Sequence, residues 1–310
     1  VIKAACNLAL IAALLAAQAQ EPDQQITTLK VVTRLVAISA VVKSKDGEAA
    51  ANLTKDDFTL KQDGKQVPIQ YCSRGADLPL SIALMVDTSA SQQTFIDDES
   101  LASDVFFQTM LARPEDRAML VQFDSTVMQM HSMTNNTSSL HFALAKLKGQ
   151  ASGGTLLYDA VFSVSKSILA PETGRKAMVI LTDGGDNGSR HTLAEAEEAA
   201  QRADVQIYSI VYSLHRALTG GSAGIAPAPD TGLSALQKLS ESTGGRVFTV
   251  SPKSSLREIY TQIGDDLRLQ YQLGYRPPAT NQPNSYHKLE LKAKDKKLTV
   301  QARKGFFQPA

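Results

Sequence analysis

The hydrophobic period of the chain changes after Pro79. LSIALMVD (80–87) is a continuous apolar run, without the alternation of a strand that faces water on one side. Such a run fits a strand buried on both faces, and hence a parallel sheet with helices covering both sides. DRAMLVQFD (116–124), RKAMVILTD (175–183), VQIYSIVYS (205–213) and RVFTV (246–250) read as further strands. Between them DDESLASDVFFQTMLA (97–112), SLHFALAKL (139–147), TLLYDAVFSVSKSIL (155–169), TLAEAEEAAQRA (192–203), SALQKLSESTGG (234–245) and SSLREIYTQIGDDLRLQ (254–270) carry helical spacing. VMQMHSM (127–133) alternates one turn after a strand, so it is expected antiparallel at an edge. Strands alternating with helices predict an α/β fold over 78–270, a doubly wound, mostly parallel sheet flanked by helices.

Both flanks read as β. TTLKVVTRLVAISAVVKS (27–44) is rich in β-branched residues, KDG (45–47) marks a turn, and QDGK (62–65) supplies the Asp-Gly signal of a hairpin within DFTLKQDGKQVPIQYC. In the tail, YQLGYRP is a short strand, and YHKLELKAK and LTVQARKGFF are expected to form a hairpin around KDKK. The expected arrangement is one β-sandwich-like module built by residues 26–75 pairing with 271–310, which carries the α/β domain as an insertion. Two separate small β modules are the alternative.

The first twenty residues, VIKAACNLALIAALLAAQAQ, combine one cation, an apolar stretch and Ala17-Gln18-Ala19. That is the layout of a secretory signal peptide over residues 1–19, and it predicts export to the periplasm or beyond. An uncleaved segment would be the one route to a membrane. Cleavage would leave Cys72 as the single cysteine, so no internal disulfide is expected. The 32 basic and 31 acidic residues balance, which gives no reason to expect nucleic acid as a partner.

In an open α/β sheet, ligands bind outside the carboxyl ends of the strands. Three polar stretches fall on that rim: VDTSAS (86–91) after the first α/β strand, SGGT (152–155) before a helix, and TDGGDN (182–187) after the strand RKAMVIL. Together they offer Asp87, Ser89, Ser91, Thr155 and Asp183. Two carboxylates roughly neutralise a divalent ion, and three hydroxyls ligate it without charge. The set suits octahedral Mg²⁺ or Mn²⁺ better than a calcium cage of six to eight oxygens, although it does not choose the ion. Helix capping by the same serines and aspartates is the plainer reading. Asp159 is read as a structural residue orienting the loop of Thr155, and Asp186 and Asn187 as caps for the helix beginning near Thr192 or as solvated residues.

The order Asp87-x-Ser89-x-Ser91, then Thr155, then Asp183 resembles the metal-ion-dependent adhesion site of von Willebrand factor type A domains. LTKDDFTLKQDGK before the domain and YQLGYRPP, YHKLEL and LTVQARKGFF after it are similar to the exported bacterial "VWFA-related" family. The resemblance implies direct ligation by Ser89, Ser91 and Thr155, with Asp87 and Asp183 acting largely through water. It also implies a protein partner that presents an Asp or Glu carboxylate to the ion, and no catalysis. A structural envelope scaffold with a stabilising metal, or a Mg²⁺-dependent hydrolase, are the other readings. GGSAG (220–224) satisfies G-x-S-x-G, but Ser222 enters a Pro-containing loop rather than a strand-to-helix turn. The five histidines show no zinc spacing.

Overall fold

The computed structural model describes residues 35–74, 78–89, 103, 105–111, 113–147, 153–211, 231–278 and 284–308. The segment read as a signal peptide lies outside them. Among the described residues four strands precede the α/β region: β1 (Val36–Ser44), β2 (Phe58–Gln62), β3 (Lys65–Val67) and β4 (Ile69–Arg74). The α/β region contributes β5 (Leu80–Asp87), β6 (Arg117–Phe123), β7 (Val127–Thr134), β8 (Arg175–Thr182), β9 (Val205–Val211) and β10 (Val247–Thr249). Its helices are α1 (105–110), α2 (Thr137–Leu144), α3 (Leu157–Ser163), α4 (Leu193–Arg202), α5 (Thr231–Thr243) and α6 (Leu256–Leu269). Four more strands close the chain: β11 (Tyr271–Tyr275), β12 (Tyr286–Ala293), β13 (Leu298–Ala302) and β14 (Gly305–Phe307).

The central sheet has six strands in the order β10-β9-β8-β5-β6-β7. All neighbours are parallel except β6 and β7, so the alternating segment is indeed an antiparallel edge. Strand β5 shows why its run is apolar throughout. Leu80, Ile82, Leu84 and Val86 point to a core shared with Phe106, Phe107 and Met110 of α1 and Ile259, Ile263 and Leu267 of α6. Ala83 and Met85 point to the opposite core, shared with Leu157 and Val161 of α3, Ala196 and Ala200 of α4, and Leu236 and Leu239 of α5. Each face of a period-2 strand meets a helical layer, so neither can be polar.

The flanks build two four-stranded sheets, β13-β1-β11-β4 and β14-β12-β2-β3, which share a third core of Ile38, Val42, Phe58, Leu60, Tyr271, Leu273, Tyr275, Leu289 and Phe306. The Asp-Gly hairpin forms as expected, with Leu60 opposite Val67 and φ of +50° at Asp63 and +79° at Gly64. The hairpin expected around KDKK does not. β12 pairs with β2 and β14, whereas β13 crosses to the other sheet and pairs with β1. Each strand gains more by burying its apolar face in the shared core than by pairing with its neighbour in sequence. RKGFF adds a strand of its own, β14, which turns back onto β12.

Candidate metal centre

Asp87 ends β5 and is fully buried. Its Oδ1 accepts the Ser89 backbone N–H at 3.0 Å, which folds the chain back over the end of the strand. Its Oδ2 accepts the Thr182 hydroxyl at 2.6 Å, across the β5–β8 pair. Thr182 Oγ1 in turn accepts the Gly184 N–H at 3.1 Å, and Asp183 Oδ1 accepts that of Gly185 at 3.1 Å. The turn after β8 is thereby tied to Asp87. Gly184 sits at φ +91°, and an added Cβ would lie 2.9 Å from the Gly232 carbonyl carbon, so a larger residue would push this turn away from α5.

Thr155 reaches the same rim by a different route. Its N–H and C=O exchange two hydrogen bonds with Asn187, at 3.0 and 2.9 Å, so the segment before α3 pairs with the segment after β8. The next amide, Leu156 N–H, donates to the Asp124 carbonyl at 2.8 Å. Asp124, at the end of β6, is fully buried. Its carboxylate accepts Thr88 Oγ1 at 2.9 Å, Gln122 Nε2 at 3.3 Å, and both the N–H and hydroxyl of Thr126, at 2.9 and 3.1 Å. Burial pushes this carboxyl up, but those donors outweigh it and hold it below the usual range. Asp124 and Thr182 are braces that the sequence reading missed. Their signal was present, since both stand at the carboxyl ends of rim strands.

The structure thus brings Asp87, Ser89, Thr155 and Asp183 to one end of the sheet; Ser91 lies outside the described residues. Ser89 and Thr155 are buried and Asp183 is half-buried. Asp186 caps α3 rather than the later helix, since its Oδ1 accepts Tyr158 N–H at 3.0 Å. The helix at Leu193 is capped by Thr192 in a capping box with Glu195.

The electrostatics test the fit of a cation. Among the described residues, no Lys, Arg or His forms an ion pair with Asp87 or Asp183. Burial pushes the Asp87 carboxyl up; the hydrogen bonds from Thr182 and Ser89 pull the other way, and Asp183 adds to the rise. A buried carboxylate with an acid beside it and no cationic side chain paired to it among the described residues is costly unless a cation completes it. Hydroxyl oxygens at Ser89 and Thr155 supply uncharged hard donors of the kind Mg²⁺ and Mn²⁺ take.

A doubly wound sheet with acidic and hydroxyl oxygens gathered at one rim defines an α/β domain with a candidate cation site. Residues 81–262 match the von Willebrand factor type A domain family, more than half of the chain, and the protein belongs to that family. Proximal thread matrix protein 1 from the mussel byssus, solved with a zinc-occupied MIDAS motif, is similar at 17% identity and a TM-score of 0.50, over 68% of this chain and 50% of that one. BatB from Bacteroides thetaiotaomicron shares 14% identity over 61% of this chain and 99% of its own, at a TM-score of 0.49. The vWF domain of the type V pili tip protein Mfa5 from Porphyromonas gingivalis shares 14% over 66% and 99%, also at 0.49. At such identities the byssus protein speaks for the fold alone. A search of curated proteins found no match.

Proposed function

We propose that the protein is an exported interaction module that holds a divalent cation, Mg²⁺ in the first instance, through Asp87, Ser89, Ser91, Thr155 and Asp183. The cation offers an open position to an Asp or Glu side chain of a protein partner. The reading is one of binding, not of catalysis at the metal. The observation that carries it is Asp87: a fully buried carboxylate, hydrogen-bonded on both oxygens by neutral donors and beside a second acid. When bound, the cation would supply the missing positive charge and a directional bond to an acidic group. The chain's own task is to hold the oxygens in place, and Asp124, Thr182 and the Thr155–Asn187 pairing do so.

Export is supported by the apolar leader ending in Ala17-Gln18-Ala19, read as a signal peptide over 1–19. Among the described residues no helix is long and apolar enough to cross a membrane. The segments 26–75 and 271–310 are read as one docking module, periplasmic or secreted with the rest.

Calorimetric titration with Mg²⁺ and Mn²⁺, beside Asp87→Ala, tests the site. One equivalent bound by the parent and none by the folded variant is the expected result. Adding a short acidic peptide and its amidated counterpart to the loaded protein then tests the partner class. Equal affinity for both peptides sinks the acidic-partner reading, and absent metal binding sinks the site.

A further inference from the structure

A hydroxyl, an imidazole and a carboxylate stand in series at the rim of the β-sandwich, and none of them belongs to the metal centre. Ser285 immediately precedes β12, whose second residue is His287. Ser285 Oγ is 2.9 Å from His287 Nε2, and His287 Nδ1 is 2.7 Å from Asp63 Oδ2 in the β2–β3 turn. An ionised carboxylate only accepts, so the proton of a neutral imidazole sits on Nδ1. Nε2 then carries a lone pair, and the Ser285 hydroxyl donates to it. Hydroxyl on one nitrogen and carboxylate on the other is the order that activation of a serine by a histidine base requires.

The frame around the three groups is fixed. Asp63 Oδ1 accepts Lys288 N–H at 2.9 Å, and Asp63 N–H donates to the Lys288 carbonyl at 2.9 Å. The turn and the strand are therefore clamped in both directions. The His287 ring lies against Phe306, with centroids 5.4 Å apart and planes at 30°. Ser285 is held through its carbonyl, which accepts Gln308 N–H at 2.9 Å, and it is half-buried rather than sealed. A tether between turn and strand needs only the Asp63–His287 contact. The hydroxyl at Nε2 is the feature that a tether does not explain.

We propose that Ser285 is the nucleophile of an acyl-transfer site for small carboxylic esters, with His287 as its base and Asp63 as a positioning residue. Ser285 Oγ bonds to the ester carbonyl carbon while His287 Nε2 takes the hydroxyl proton. The ester C–O bond breaks, and the alcohol leaves with that proton. Water, deprotonated by the same nitrogen, cleaves the acyl-serine, which releases a carboxylic acid and restores the hydroxyl.

The test uses the full chain in EDTA, so that the metal site plays no part, with a fluorophosphonate probe and p-nitrophenyl butyrate. Peptide mass spectrometry should place the phosphonyl group on Ser285, and Ser285→Ala should remove both labelling and ester turnover. His287→Ala should slow labelling about 100-fold or more. Free imidazole should restore part of the rate, which the loss of a mere tether would not allow. His287→Gln keeps a donor toward Asp63 and should lose reactivity equally, which separates chemistry from misfolding. Asp63→Asn should slow labelling while the circular dichroism spectrum is retained. An unmodified Ser285 overturns the proposal, as does one labelled equally fast without His287.

Discussion

Asp87 concentrates the trade between stability and binding in one side chain. Its raised carboxyl, caused first by burial, means that the charged form is the costly one in the metal-free fold. The sign follows. A carboxyl whose folded value lies above its unfolded value makes the metal-free protein less stable once pH rises past that folded value. Asp87→Asn should therefore leave the metal-free protein at neutral pH as stable as the parent or more so. The amide can present its oxygen to Ser89 N–H and its nitrogen to Thr182 Oγ1, keeping both contacts. The same change should abolish the rise in Tm with Mg²⁺, which at a hundredfold excess over Kd corresponds to about 2.7 kcal/mol. Calorimetric melting with and without Mg²⁺ reads both effects, and a large loss of metal-free stability would show that the charge is compensated after all. Asp87, Ser89 and Asp183 could be put at the rim from sequence because strand ends are visible there as the end of an apolar run, and Thr155 because SGGT precedes a helix. Asp124 and Thr182 stand at strand ends too, but their bracing role was hidden, because it runs through hydrogen bonds to Thr88 and Asp87, 36 and 95 residues away.

At the scale of elements, the start of α3 and residues 183–191 behave as one piece. Asp159 accepts Arg190 N–H at 3.1 Å, His191 N–H at 2.9 Å and His191 Nδ1 at 2.6 Å. The His191 ring stacks on Phe162 at 3.7 Å between centroids. Ser189 Oγ donates to Asp186 at 2.7 Å and accepts Asp159 N–H at 3.1 Å. This piece carries Thr155 and Asp183, so loosening it should misplace two of the proposed ligands at once. Groups that orient metal ligands typically change affinity 10–100-fold when removed, and Asp159→Asn should weaken Mg²⁺ binding by about tenfold. Burial pushes Asp159 up, but the Arg190 and His191 donors outweigh it and leave it lowered. A lowered carboxyl contributes stability that is complete above its unfolded value of about 3.9 and is lost as pH falls through the folded one. Exchange protection of the Arg190 and His191 amides should accordingly persist in the parent to about pH 4, collapse below it, and be weak in the variant throughout. Protection indifferent to both changes would remove Asp159 from the account. The period of the sequence revealed that these elements exist, but not their finer form. After Ser163 the helix continues as a π-helical segment, Val164–Leu169, and nothing in VSKSIL distinguishes that winding from an α-helix. The parting of β12 from β13 was equally hidden, because both alternate and only the shared core decides which sheet each joins.

At the scale of the molecule, the chain leaves and re-enters the sandwich at one point. β4 and β11 are neighbours, with Arg74 opposite Tyr271, and the whole α/β region lies between them in sequence. Arg175 holds entrance to exit, since its guanidinium donates to the carbonyls of Leu78 and Leu267. A second fastening is ionic. Asp266 of α6 has a fully buried side chain, with Lys43 Nζ of β1 at 2.6 Å from Oδ1 and Arg246 Nε at 3.0 Å from Oδ2. That carboxylate joins a strand of the sandwich to the helix that leads into β11. Removing it leaves two cations without their carboxylate, and breaking a buried pair from one side costs about 3–5 kcal/mol. Lys43 and Arg246 each retain some access to water, at 22% and 32% exposure, which places Asp266→Ala near the lower end, about 3 kcal/mol. Lys43→Met should cost far less, because Arg246 still neutralises the carboxylate. Denaturant unfolding followed by two probes, one for helix and one for a tyrosine of the sandwich core such as Tyr271, reads the difference. If Asp266 couples the two parts, the parent unfolds in one transition and Asp266→Ala in two, with the helical signal lost at lower denaturant. Coincident transitions in the variant would mean that the continuous backbone and the Arg175 contacts suffice, and that the buried charge is dispensable to the union of sandwich and sheet.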